Sequence, residues 1–222
     1  IFHYNKYSPM GKKGKIKLIL PKNSSEKLFF EKGIQIIFSN GGRISTEKYK
    51  KGMIDFMIKE NVGSDITSVI HKAVMPRYLG LVVLSKKQYF LTEFGYRYAN
   101  AKSKYDKFEV IFDAISSITF GRENNAVSSD SDVEPPILLL KLIKDKSSIS
   151  TLEFGLALYY LEVLELDYLS CLNRLKKIKD LKKEKNKIIK SGGGKLFDPK
   201  INAFFKSLGI INYLPNEKKY GL

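Results

Sequence analysis

The sequence predicts a mostly α-helical protein with short β wings, built as two tandem winged helix-turn-helix units joined by helices. Two stretches lead there. From Met75 to Gly95 the chain reads as a helix end, a glycine at Gly80 and an apolar strand, Leu81 to Leu84. The polar turn Ser85-Lys86-Lys87-Gln88 and a returning strand, Tyr89 to Leu91, come next. Similar text closes the chain. Ser207-Leu208-Gly209-Ile210-Ile211 lines up with Tyr78-Leu79-Gly80-Leu81-Val82, and a charged turn and an aromatic succeed it in both.

Composition supports a folded, nucleic-acid-facing chain. The 222 residues allow one or two domains, and a hydrophobic fraction of 43% is enough for a real core. The net charge of +16 points to a polyanion, with nucleic acid first and a membrane surface as the rival. No apolar run approaches the roughly 20 residues a spanning helix needs, and the polar, basic start is not a signal peptide. The single Cys171 rules out an internal disulfide and fits a reducing cytoplasm. With only His3 and His71 beside it, it cannot build a zinc site. The chain starts at Ile1 and ends at Leu222, where a wing strand should continue, so it reads as a piece of a larger protein.

Residues 1–22 form a basic arm, with Lys12 and Lys13 in a glycine run suited to close approach to phosphate. Residues 23–100 make the first unit. Asn23-Ser24-Ser25 can cap a helix with Leu28, Phe29, Ile34, Ile36 and Ile37 inward, and Gly33 is a flaw worth about 1 kcal/mol against Ala. Asn40-Gly41-Gly42 ends it. Arg43-Ile44-Ser45 is a strand, with Arg43 a candidate DNA contact. Thr46 caps a second helix, with Tyr49, Met53, Ile54, Phe56 and Met57 inward at helical spacing. Ser64 or Asp65 caps a third helix, from Ile66 towards Tyr78, which Pro76 should kink or end near Met75. Standing third and just before the wing, this helix is the one expected in the major groove. Its outward candidates are Ser64, Thr67, Ser68, His71, Lys72 and Arg77. Arg and Lys suit guanine O6 and N7, and Ser and Thr suit bases or phosphates. Lys86 and Lys87 tip the wing. Thr92-Glu93 then opens a helix.

Residues 101–134 read as connecting helices and a polar, acidic loop, with Tyr105, Phe108, Val110, Ile111, Phe112, Ile115, Ile118 and Phe120 as the apolar set. The loop lacks the ligand spacing of an EF-hand. Residues 135–222 make the second unit. Pro135-Pro136 starts an apolar helix, Ile149 is a short strand, and Ser150 or Thr151 caps the next helix. A basic helical insertion at about 165–190 then intervenes. From Arg174 to Lys190 it carries nine cations against Asp180 and Glu184. Self-repulsion of that size favours phosphate contact, through Lys176, Lys179 and Lys183 among others. Asp198-Pro199 opens the last helix, with Lys200, Asn202, Ala203 and Lys206 as its exposed candidates. Asn202 could pair bidentately with adenine. Lys218 lies in the second wing tip.

The residues hold no recognisable catalytic group and no metal site. Asp180-Leu-Lys182 matches the letters of a Mg²⁺-dependent nuclease motif, yet it lies in a basic helical run without a partner acid. Ser191-Gly-Gly-Gly-Lys195 lacks the spacing of a phosphate-binding loop.

Met75 to Tyr98, Pro135-Pro136-Ile-Leu-Leu-Leu-Lys-Leu-Ile-Lys144 with Phe154-Gly155, and Asn202 to Ile211 together resemble the DNA-recognition region of type IIS restriction endonucleases of the FokI and AlwI kind, with related nicking enzymes. The resemblance covers roughly residues 24–222. It implies a chain that reads a short, asymmetric double-stranded site. A separate Mg²⁺-dependent nuclease domain of the same parent protein would then cut to one side. A non-enzymatic regulator or a plasmid replication initiator is the competing reading, since both use tandem winged helices and high positive charge.

Overall fold

A computed structural model describes residues 27–62, 66–117, 133–197 and 200–221. Within them the chain is mostly helical, with two small antiparallel sheets. The basic arm, the Asn23–Ser25 cap, Ser64, the acidic loop and Asp198-Pro199 lie outside these residues, as do the side chains of Thr67, Ser68 and Lys200.

Helix α1 (Lys27–Ser39) buries Phe29, Phe30, Gly33, Ile34 and Ile37, while Leu28, expected inside, is exposed. Gly33 is not a flaw. A Cβ there would strike the Tyr49 hydroxyl, so the missing side chain is what lets the next helix close on α1. Strand β1 (Arg43–Ser45) comes next, then α2 (Thr46–Lys59). Its N-cap is Ser45 rather than Thr46, because the Ser45 hydroxyl accepts from the Lys48 N–H at 3.2 Å. Tyr49, Met53 and Met57 are buried, and Ile54 and Phe56 are partly so.

The third helical element differs from expectation. A 3₁₀ segment, Ile66–Ala73, runs first, and only Val74–Tyr78 (α3) is α-helical. The change of geometry falls at Ala73, not at Pro76, which sits within the first turn of α3 where a missing N–H costs little. Strands β2 (Val82–Ser85) and β3 (Gln88–Leu91) form a hairpin, and β1 adds to β3, giving the order β1-β3-β2. Thr92 locks this hairpin to the next helix, α4 (Glu93–Asn100). Its hydroxyl donates to the Gly80 carbonyl at 2.7 Å and accepts from the Gly95 N–H at 3.1 Å, capping α4. Gly95 must be glycine, since a Cβ would run into the Leu81 carbonyl.

Helix α5 (Lys104–Ser117) buries Val110, Ile111, Ala114 and Ile115. Tyr105 and Phe112, expected inward, are exposed, because the buried stripe of α5 is Val110, Ile111, Ala114 and Ile115, and their own positions lie on another face of the helix. The second unit begins with α6 (Pro135–Lys146), β4 (Ser148–Ile149) and α7 (Thr151–Glu162). Ser150 and Glu153 form a capping box at the start of α7, and Lys146 pairs with Glu153 at 2.5 Å. Burial alone would raise the Glu153 pKa. The Lys146 bond and the Ser150 bonds outweigh it and hold the carboxyl below its usual range.

The insertion is not one long helix. It is α8 (Tyr168–Lys177) and α9 (Leu181–Lys190), broken at Ile178–Asp180, with a 3₁₀ turn after them at Gly193–Phe197. Helix α10 (Lys200–Leu208) then leads into β5 (Asn212–Leu214) and β6 (Lys219–Gly221), in the order β4-β6-β5.

With α8, α9 and the 3₁₀ turn after them set aside, the same succession of helix, strand, helix, helix, strand, strand occurs twice, with the same strand order. The match reaches the backbone. Gly80 (φ 71°) and Gly209 (φ 70°) both end a helix in the left-handed region. Gly80 N–H bonds the Arg77 carbonyl and Leu81 N–H that of Pro76, while Gly209 bonds Lys206 and Ile210 bonds Phe205. The buried residues form one continuous cluster. Phe30 of α1 and Phe204 of α10 meet edge to face at 5.0 Å, so the two repeats share a core.

Candidate nucleic-acid interface

In the first repeat three cations gather at the hairpin tip. Lys86 and Lys87 occupy the two-residue turn, both exposed and both left-handed, at φ 46° and 58°. The Thr46 N–H bonds the Lys87 carbonyl at 3.0 Å, which fixes the turn against the start of α2. Arg43 of β1 is exposed, and its Nε donates to Gln88 Oε1 at 2.6 Å while its guanidinium lies over the Phe90 ring. Gln88 is the next residue after Lys87, so Arg43 is held beside the turn. The sequence pointed to all three residues but not to their gathering, which depends on β1 pairing with β3.

The third helical element offers less than expected. His71 is exposed. Lys72 is partly covered, its ammonium 4.1 Å above the Phe29 ring. Arg77 is half-buried near Tyr89, and burial pulls its pKa below the usual value, with the Tyr89 phenol acting the other way. Lys72 and Arg77 thus lean on the first repeat's core rather than standing clear as base readers. Position i to i+4 on a helix shows which residues share a face, but not that an aromatic waits for a long side chain's stem.

In the second repeat the correction is sharper. Asn202, expected to be exposed and to read adenine, is fully buried (0%), and among the described residues neither its Oδ1 nor its Nδ2 has a hydrogen-bond partner. By the backbone match of the two repeats it stands where Ala73 stands in the first, and Ala73 is also buried. Ala203, Lys206 and Ser207 are the described side chains that α10 turns outward, and the Ser207 hydroxyl donates to the Phe204 carbonyl. Lys206 lies 5.2 Å above the Tyr213 ring. Lys218, at φ 52°, is exposed in the β5–β6 turn, next to Glu217.

The insertion supplies the broadest basic surface. Lys176, Lys179 and Lys183 are exposed, together with Lys177, Lys182, Lys187 and Lys190. The two acids between Arg174 and Lys190 have local duties. Asp180 caps α9, accepting from the Lys183 N–H at 2.9 Å, and Glu184 in the first turn pairs with Lys187 at 3.2 Å. Both offset the helix dipole at an end crowded with lysines. Asp180 in particular is occupied by the backbone, and among the described residues no three His, Cys, Asp or Glu side chains gather as metal ligands. Cys171 is buried beside α7, and burial pushes its thiol up to about 12. No described helix is long and apolar enough to cross a membrane.

No known family, curated protein or solved structure matches this chain.

Proposed function

We propose that the chain binds double-stranded DNA as the recognition segment of a type II restriction endonuclease, and that its two repeats are winged helix-turn-helix units. The observation that carries this reading is the repeated helix–strand–helix–helix–strand–strand order, with strand order 1-3-2 in each repeat, on a chain of net charge +16. A third helix leading into a hairpin is the arrangement that sets a helix in the major groove and a wing on the backbone. The wing-tip trio Arg43, Lys86 and Lys87, the lysines of α8 and α9, and Lys206 supply phosphate contacts; His71 is a described side chain left for base edges. The repeats are unequal, since only the second carries the insertion, so a single chain offers an asymmetric surface and favours an asymmetric site. Cleavage would belong to a Mg²⁺-dependent domain of the same parent protein, outside this chain.

Selection of binders from random duplex DNA at about physiological salt, with sequencing of the bound pool, tests the reading. A short non-palindromic consensus is expected, with affinity falling steeply as salt rises because each neutralised phosphate contributes about −0.9 to the log–log slope. A palindrome or direct repeats would overturn it in favour of a regulator or replication initiator. The absence of any consensus would remove sequence reading altogether.

A further inference from the structure

The repeat provides an internal control for one surface. In the first sheet, Leu84 pairs with Tyr89, which is buried (1%) and packed 4.8 Å from Tyr49 of α2. In the second, the corresponding pair is Tyr213 and Tyr220, with ring centres 5.2 Å apart. Tyr49, four residues beyond its N-cap Ser45, becomes Phe154, four beyond Ser150. Tyr220 is only partly buried and Tyr213 is 38% exposed. The aromatic position sealed in the first repeat is only partly covered in the second.

The surroundings of that opening are chemically specific. Lys206, on the outward face of α10, holds its ammonium 5.2 Å from the Tyr213 ring centre. Ala203, one turn earlier and also exposed, adds only a methyl group. With Asn202 buried, the described outward face of α10 has one lysine and no side-chain amide with which to read a paired base. Beside it stands a tyrosine ring with a cation above it. Such a surface offers little to a stacked duplex, which hides its base faces, and much to a base that has left the stack.

We infer that Tyr213, with Lys206 and Tyr220, forms a stacking platform for an unpaired or extruded nucleobase next to the segment of DNA held by α10. This rests on the DNA-binding reading above, and it assigns a ligand class to the wing of the second repeat. The aromatic ring binds the base face, and Lys206 neutralises the adjoining phosphate.

The test compares a fully paired duplex with the same duplex carrying one unpaired 2-aminopurine, for the wild-type chain and for Tyr213→Phe and Tyr213→Leu. The wild type is expected to favour the unpaired probe by about five-fold or more, with quenching of its fluorescence. Tyr213→Phe should keep both effects and Tyr213→Leu should lose both, while affinity for the paired duplex changes little. Equal wild-type affinity for the two probes, or a preference that survives Tyr213→Leu, overturns the platform and leaves duplex binding standing. Loss of affinity for both probes alike in Tyr213→Leu shows a merely structural ring and overturns it too. A wild type that binds neither probe overturns the DNA-binding reading itself.

Discussion

Asn202 buries a side-chain amide with both polar atoms unpartnered, beside a core that Phe204 and Phe205 fill. An unsatisfied buried group costs about 1–3 kcal/mol. Leucine has nearly the same branching and no polar atoms. Asn202→Leu is therefore expected to raise stability by about 1–3 kcal/mol in urea unfolding, with the DNA consensus unchanged. A changed consensus would return Asn202 to the base-reading role that its residue type suggested. The sequence misled here for a definable reason. Asparagine in a third helix is chemically suited to adenine, but helical periodicity alone leaves two candidate faces. The position of Phe204 and Phe205 in a shared core, which no local pattern displays, turned Asn202 inward.

The β2–β3 hairpin carries its strain openly. A two-residue turn with both residues left-handed favours Asn-Gly, and Lys86-Lys87 must adopt it with full side chains, at a cost of about 1–2 kcal/mol per residue. The double variant Lys86→Asn, Lys87→Gly is expected to gain roughly 1 kcal/mol or more in thermal or urea unfolding. It should also bind DNA more weakly, with a shallower salt dependence, as titrations at several salt concentrations would show. Unchanged affinity would mean that the wing tip does not touch the duplex. Much at this scale was legible in the sequence. Thr92, Gly80 and the charged turn placed the strands of the first hairpin to within a residue, and the likeness around Gly209 pointed to the second, because turn and cap chemistry is local. The break between α8 and α9 was not legible. Ile178 to Asp180 contains no proline or glycine, and the stop depends on Asp180 folding back onto the Lys183 N–H.

Across the whole molecule the two repeats share one buried cluster, joined where Phe30 meets Phe204. That contact gives each repeat part of its core from the other. Phe204→Ala should cost about 3–5 kcal/mol and shift a single unfolding transition, monitored by far-ultraviolet circular dichroism and tyrosine fluorescence together. Two separated transitions, with the first repeat unmoved, would show that the repeats fold independently. This coupling was invisible in the sequence, where Phe30 and Phe204 are two aromatics among many. Equally hidden was the destination of the basic insertion, because a run of lysines announces its charge and not the surface it covers.

That surface also has an inner side. Helix α7 has no exposed residue, whereas its counterpart α2 presents Glu47, Lys48, Lys50, Lys51, Asp55 and Lys59 to solvent. Gly155 of α7 has no room for a Cβ, because Phe197 at the end of the insertion fills that space. A shortcut from α7 straight to α10 would leave a helix that is oily on every side, and such a chain would clump rather than fold. The helices of the insertion therefore do for α7 what solvent does for the outer face of α2: they give it something to pack against. The basic insertion is thus a cover for the second repeat's core on its inner side and a lysine-rich surface on its outer side.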